Sequence, residues 1–123
     1  MHSIILTVHN KGWLIDKVIQ GIKDNTVGEY ELIVVVDGCT DNSEEVVREY
    51  VQNITNYTVV FADNVFETKA NNMGLKQAVG DKVVIVQDDM LIKEYGWNMR
   101  MEKPFIAFND VFPVTARTAN NWV

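Results

Sequence analysis

Four short apolar runs recur along the chain: SIILTV at 3–8, ELIVVV at 31–36, YTVVFA at 57–62 and KVVIVQ at 82–87. Each is rich in β-branched residues and closed by polar or turn-forming positions, which predicts strands. Their apolarity is continuous rather than alternating, as in strands covered on both faces. Between the first two runs, Leu14, Ile15, Val18, Ile19 and Ile22 recur at helical spacing, with Asp16, Lys17, Lys23 and Asp24 opposite them. Val46, Val47, Tyr50 and Val51 repeat that pattern behind TDNSEE, where Asp41 and Glu44 have the spacing of a capping box. A third helix is expected over 68–79, with a weaker stripe interrupted by Gly74. The order β-α-β-α-β-α-β predicts parallel strands joined by right-handed crossovers, with helices on both faces of the sheet.

Past Asp89 the pattern loses its regularity. KEYGWNMRME reads as a short helix or a turn around Gly96, and AFNDVFPVTAR as a further strand. Trp97, Phe105, Phe108 and Phe112 are expected in the core, or on an apolar surface that self-association into a homo-oligomer would cover. No repeat or linker divides the chain, so residues 1–123 read as one domain whose ending resembles an interruption.

Composition narrows the function. A chain of 123 residues that is 47% hydrophobic can bury one core. A net charge of −6 lacks the excess of Lys and Arg that a phosphate backbone or an anionic membrane demands. A small anionic ligand fits only where a cation or local donors offset its charge. SIILTV is too short for the apolar region of a signal peptide, and no later run approaches membrane-spanning length. The lone Cys39 suits a reducing compartment. The expectation is a soluble cytoplasmic protein.

In open parallel sheets, ligands bind outside the carboxyl ends of the strands. His9, Asn10 and Lys11 follow the first strand; Asp37, Gly38 and Cys39 the second; Asp63 and Asn64 the third; Asp88 and Asp89 the fourth. Asp, Asn and Gly are ordinary loop residues. The pair Asp88-Asp89 is less ordinary, because MLI follows it in place of further turn formers. Two adjacent carboxylates disfavour each other's ionisation unless positive charge lies beside them. Magnesium or manganese would supply it, completing its shell with water and ligand phosphates. Strand alternation puts Gln87 and Asp89 on one face and Asp88 on the other, unless the backbone turns at once. Asp89 is the expected metal ligand, with Asp88 reaching the ribose or a metal-bound water.

Four segments in order, SIILTVHNKGWL, YELIVVVDGCTDNS, NNMGLKQAVGDKVVIV and QDDM, resemble the nucleotide-sugar-binding half of inverting family 2 glycosyltransferases. The likeness spans roughly residues 3–90, leaving 91–123 as the start of an acceptor region. It implies a GT-A fold: a Rossmann-like three-layer α/β/α domain of the nucleotide-diphospho-sugar transferase type, here reading as truncated. It implies that Thr7 and Asp37 contact the base, that His9 lines the base pocket with Asn10 beside it, and that Lys69 reaches the diphosphate. Asn72 and Gly74 match the family's N-x-G, and Gly74 also suits close helix–sheet packing. The implied reaction is hexosyl transfer with inversion from a UDP- or GDP-sugar to an acceptor hydroxyl, with Mn2+ or Mg2+. Val36, Cys39 and Gln87 depart from the family pattern, and nothing matches its general base: Asp110 is the sole carboxylate in the last twenty residues. Two other readings remain. One is a non-catalytic donor-binding or assembly module; the other is a receiver-like regulatory domain with Asp63 as phosphoacceptor.

Overall fold

The computed structural model describes residues 1–108, 110 and 113. Its strands are β1 (His2–Val8), β2 (Tyr30–Asp37), β3 (Tyr57–Ala62) and β4 (Lys82–Gln87). They form one sheet in the order β3-β2-β1-β4, and every pairing is parallel. The helices are α1 (Ile15–Asn25), α2 (Ser43–Tyr50), α3 (Phe66–Gln77) and α4 (Trp97–Ala107), with a short 3-10 turn at Val51–Asn53. The parallel sheet with helices on both faces expected from the alternation is present, as is the Rossmann-like α/β/α architecture that the resemblance implies. A receiver-like domain would order its strands 2-1-3-4; the observed order is the 3-2-1-4 with which the Rossmann-type sheet begins.

Alternation along the strands separates the two layers of core. Ile4, Leu6 and Val8 of β1, Leu32, Val34 and Val36 of β2, and Val86 of β4 share one apolar cluster with Ile15, Val18, Ile19 and Ile22 of α1 and Val47 of α2. Each such aliphatic side chain, fully removed from water, contributes roughly 1.5–3 kcal/mol before the entropy of ordering it is subtracted. The opposite face, with Ile5 and Val35, lies under α3, where Ala70 and Gly74 are buried. Gly74 is there for close approach: a Cβ on it would lie 2.6 Å from Ile5 Cγ2 and 3.3 Å from Val35 Cγ2.

Coverage on both faces holds for the two central strands and fails for the outer ones. Val83 and Ile85 of β4 stay 42% and 48% exposed, because α3 packs chiefly over β1 and β2. The expected capping box also does not form. Asp41 accepts the Ser43 amide at 2.9 Å and the Gly12 amide at 3.0 Å, while Glu44 pairs with Arg48 one turn later at 3.4 Å. α3 begins two residues earlier than its apolar stripe suggests.

Beyond β4, the helix alternative is the one realised. Gly96, with φ 80°, supplies the left-handed residue ahead of α4. Trp97 enters the core and donates from Nε1 to Thr26 Oγ1 at 3.0 Å. Asn98 meets both the amide and the carbonyl of Val27, which ties α4 to the amino end of the sheet. The strand expected over AFNDVFPVTAR lies, apart from Ala107 in α4, Phe108, Asp110 and Pro113, outside the described residues, as does Phe112. Phe108 is exposed and Phe105 half-buried, with Lys82 Nζ 6.0 Å from its ring centre. Among the described residues, no helix is long and apolar enough to cross a membrane.

Replacing Gly74 by valine forces methyl groups into Ile5. We expect a loss of about 1–3 kcal/mol in stability by chemical denaturation, with Gly74→Ala less affected than Gly74→Val.

Candidate functional site

The register fixes where the rim lies. Thr7 of β1 is level with Val35 of β2 and Gln87 of β4, so the segments leaving these strands emerge side by side. The loop after β1 then faces an accounting problem, since its amides have neither a sheet nor a helix partner. Side chains from neighbouring loops solve it. The His9 amide donates to Asp88 Oδ2 at 3.0 Å, Asn10 to Cys39 Sγ at 3.4 Å, Lys11 to Ser43 Oγ at 2.8 Å and Gly12 to Asp41 Oδ2 at 3.0 Å. Asn10, in the left-handed region at φ 49°, returns the favour by accepting the Thr40 amide on its Oδ1 at 2.8 Å. Asn10 thus stitches two loops together. Burial pushes the Asp41 carboxyl up, but hydrogen bonds from the Ser43 hydroxyl and from the Gly12 and Ser43 amides outweigh it and hold the group below its usual value.

Asp37 closes β2 and is 4% exposed. Its Oδ1 accepts the Val65 amide at 2.8 Å and its Oδ2 the Phe66 amide at 2.9 Å. These are orphan donors at the start of α3, whose own N-cap residue offers no side-chain bond. A carboxylate from another strand caps that helix, where negative charge also suits the helix dipole. Gly38, the next residue, at φ 58°, lets Asn64 press close: a Cβ on it would lie 2.9 Å from the Asn64 backbone. The carbonyl of Asp37 lies 2.7 Å from His9 Nδ1. A carbonyl can only accept, so Nδ1 carries the proton.

After β4 the chain turns at once, with the Met90 amide donating to the Gln87 carbonyl at 3.1 Å. Strict strand alternation therefore lapses at Asp88-Asp89, and both acids line the same cleft. Asp88 is anchored by the His9 amide and has Lys11 Nζ 3.9 Å from its Oδ2; Asp89 is exposed.

The cleft has a volume of about 310 Å³. It brings together Thr7, His9, Asp37, Asp88 and Asp89 from the sequence expectation. Asn10 acts behind its wall, and Lys69 and Asn72 are exposed on α3 and do not line it. Sequence reasoning did not assign Lys11, Asn64, Phe66, Glu67 and Gln87 to the cleft, though they line it too. Lys11 and Asn64 stand in the strand-end segments already singled out; for Phe66 and Glu67 the sequence held no signal. Four carboxylates (Asp37, Glu67, Asp88, Asp89) against one lysine make the cleft strongly acidic.

The residues suit a hard divalent cation in part. Asp89 and the second oxygen of Asp88 are available, and oxygen ligands are what magnesium and manganese prefer. Among the described residues, no group of three or more His, Cys, Asp or Glu converges as a metal cage. Water and ligand phosphates would have to complete the shell, as is usual for magnesium.

A parallel sheet in 3-2-1-4 order, with an acidic cleft at the carboxyl ends of its strands, defines an α/β domain of the GT-A type. The model of the family described as "Glycosyl transferase family 2" matches residues 3–121, and the chain belongs to that family. Similar relatives include the glycosyltransferase GlyG of Streptococcus pneumoniae, 30% identical over 93 residues, or 75% of this chain and 31% of that protein. The minor teichoic acid biosynthesis protein GgaB of Bacillus subtilis is 32% identical over 96 residues, 75% of this chain and 11% of that protein. The chain thus spans less than a third of either relative. Among solved structures, S. aureus TarS 1–349 in complex with UDP superposes with a TM-score of 0.72 at 26% identity, covering 86% of this chain and 32% of that one. The mannosyltransferase PcManGT of Pyrobaculum calidifontis, in complex with GDP-Man and Mn2+, gives 0.69 at 25% identity, covering 73% and 28%.

Two outcomes follow from this geometry. Asp37→Ala strips two helix-start amides of their acceptor and should cost about 1–3 kcal/mol, with faster hydrogen exchange at Val65 and Phe66. The depressed Asp41 pKa means that its contribution is fully present above the ordinary value of 3.8 and is lost as pH falls through the folded value. Acid unfolding followed by circular dichroism should therefore show a shallower loss below about pH 4 in Asp41→Asn than in the wild type.

Proposed function

We propose that this domain binds a UDP- or GDP-linked sugar together with Mn2+ or Mg2+, and presents it for inverting transfer of a hexosyl group to an acceptor hydroxyl. The observation that carries the reading is the convergence of Thr7, His9, Lys11, Asp37, Asp88 and Asp89 on one cleft at the carboxyl rim of the sheet. A diphosphate would be repelled by four carboxylates unless a cation intervened. The paired acids after β4 are where it would sit, with Asp89 as the protein ligand and Asp88 directed to the ribose or a metal-bound water.

Bound there, the cation supplies Lewis-acid stabilisation of the leaving diphosphate. The chain's own groups do the positioning. Lys11 Nζ, 3.9 Å from Asp88 Oδ2, adds a local positive charge for a phosphate oxygen. Asp37 has lone pairs left after accepting two amides, and these can take a base N–H. His9 offers Nε2 from the same wall. The complexes of TarS with UDP and of PcManGT with GDP-Man and Mn2+ support this choice of ligands. Cys39 is a free thiol, in keeping with a reducing cytoplasm.

Titration calorimetry with UDP and GDP should detect binding that strengthens in millimolar Mn2+. Asp89→Ala should abolish the metal dependence, weakening binding in Mn2+ by at least ~10-fold. Unchanged binding in that variant would defeat the assignment of the metal ligand.

A further inference from the structure

Phe66 carries two costs at once. Its φ of 69° lies in the left-handed region, where a bulky aromatic residue is an outlier, and its side chain is 72% exposed. Neither brings core packing in return. The surroundings nonetheless over-determine the turn: Asp37 holds the Val65 and Phe66 amides, and Asn64 is itself left-handed at φ 55° against Gly38. An isolated exposed phenylalanine is unremarkable on a protein surface. One pinned in an unfavourable conformation on the wall of a ligand cleft points to function.

We propose that Phe66 is the aromatic platform for the nucleobase of the donor, an inference that rests on the donor-binding reading above. Position supports it. Asp37 ends β2 and Asp88-Asp89 follow β4, with β1 between them. Neighbouring strands lie about 4.8 Å apart, so the Phe66 turn, tied to Asp37, sits about 10 Å along the rim from the acids. That is the reach of a nucleoside from its diphosphate to its base. Ala70, one helical turn after Phe66 and on the same face, also lines the cleft, and its small side chain leaves room for a flat ring against the phenyl group. Stacking of this kind is tolerant of base identity, since every base has a π-face. Phe66 therefore supplies affinity for the nucleoside, and the polar groups nearby supply the choice of base.

The test is calorimetry in Mn2+ with UDP, GDP and inorganic pyrophosphate, on the wild type and on Phe66→Gly, Phe66→Ala and Phe66→Trp. Glycine adopts positive φ freely, so Phe66→Gly should keep or raise the thermal midpoint while losing roughly tenfold or more in affinity for both nucleotides. Pyrophosphate binding should not change, and Phe66→Trp should retain nucleotide affinity. Wild-type nucleotide affinity in a folded Phe66→Gly would overturn the inference, as would an equal loss for pyrophosphate; either leaves the donor-binding reading standing. A wild-type protein that binds neither nucleotide would overturn that reading, and this inference with it.

Discussion

A chain that leaves a parallel strand and doubles back into a helix must find acceptors for amides that no ladder or helix carbonyl can reach. In this domain that requirement falls on residues 9–12, and four consecutive amides are met by side chains from two other segments, 39–43 and the turn after β4. The loops of the rim are consequently fixed against one another. Asp88 shows the economy of the arrangement: one carboxylate oxygen, Oδ2, both holds the His9 amide and keeps Lys11 near. The lining of the cleft and the device that positions it share the same side chains.

Asp37 repeats this logic on the far side of the cleft. A base contact is what the family resemblance implies for it, and the structure adds that the residue caps α3 from outside. The two uses are compatible because a carboxylate has more acceptor sites than two amides consume. The cap makes the residue sensitive to substitution for reasons of folding, to which the proposed base contact would add binding. Holding Val65 and Phe66 in place is what allows an unfavourable backbone conformation to persist beside the cleft.

Stability is unevenly distributed. β1 and β2 are covered by helices on both faces, and their apolar residues are almost wholly buried; β3 and β4 keep much of theirs in contact with water. The cleft draws on both regions, with Thr7 and Asp37 on the rigid centre and Asp88 and Asp89 beyond a half-covered strand. Local opening is therefore expected to be easier at the end that carries the paired acids than at the end that carries Asp37.

Continuous apolar runs alternating with amphipathic stretches determined the parallel sheet, because burial on two faces and crossover helices follow from that pattern. The residues closing each strand identified the rim, and the ordered segments from SIILTVHNKGWL to QDDM identified the family. Only the tertiary structure decided which rim residues share a cleft. Asn10 turns away to tie two loops, and Lys69 and Asn72 stay on an exposed helix surface, whereas Lys11, Glu67 and Phe66 are carried in. Asp88 and Asp89 reach the same side because the chain turns immediately after Gln87, which alternation along a strand cannot foretell. A one-dimensional pattern records which faces prefer burial. Where a polar side chain points depends on hydrogen-bond partners supplied by segments 28 to 79 residues away, and those distances close only when the sheet forms.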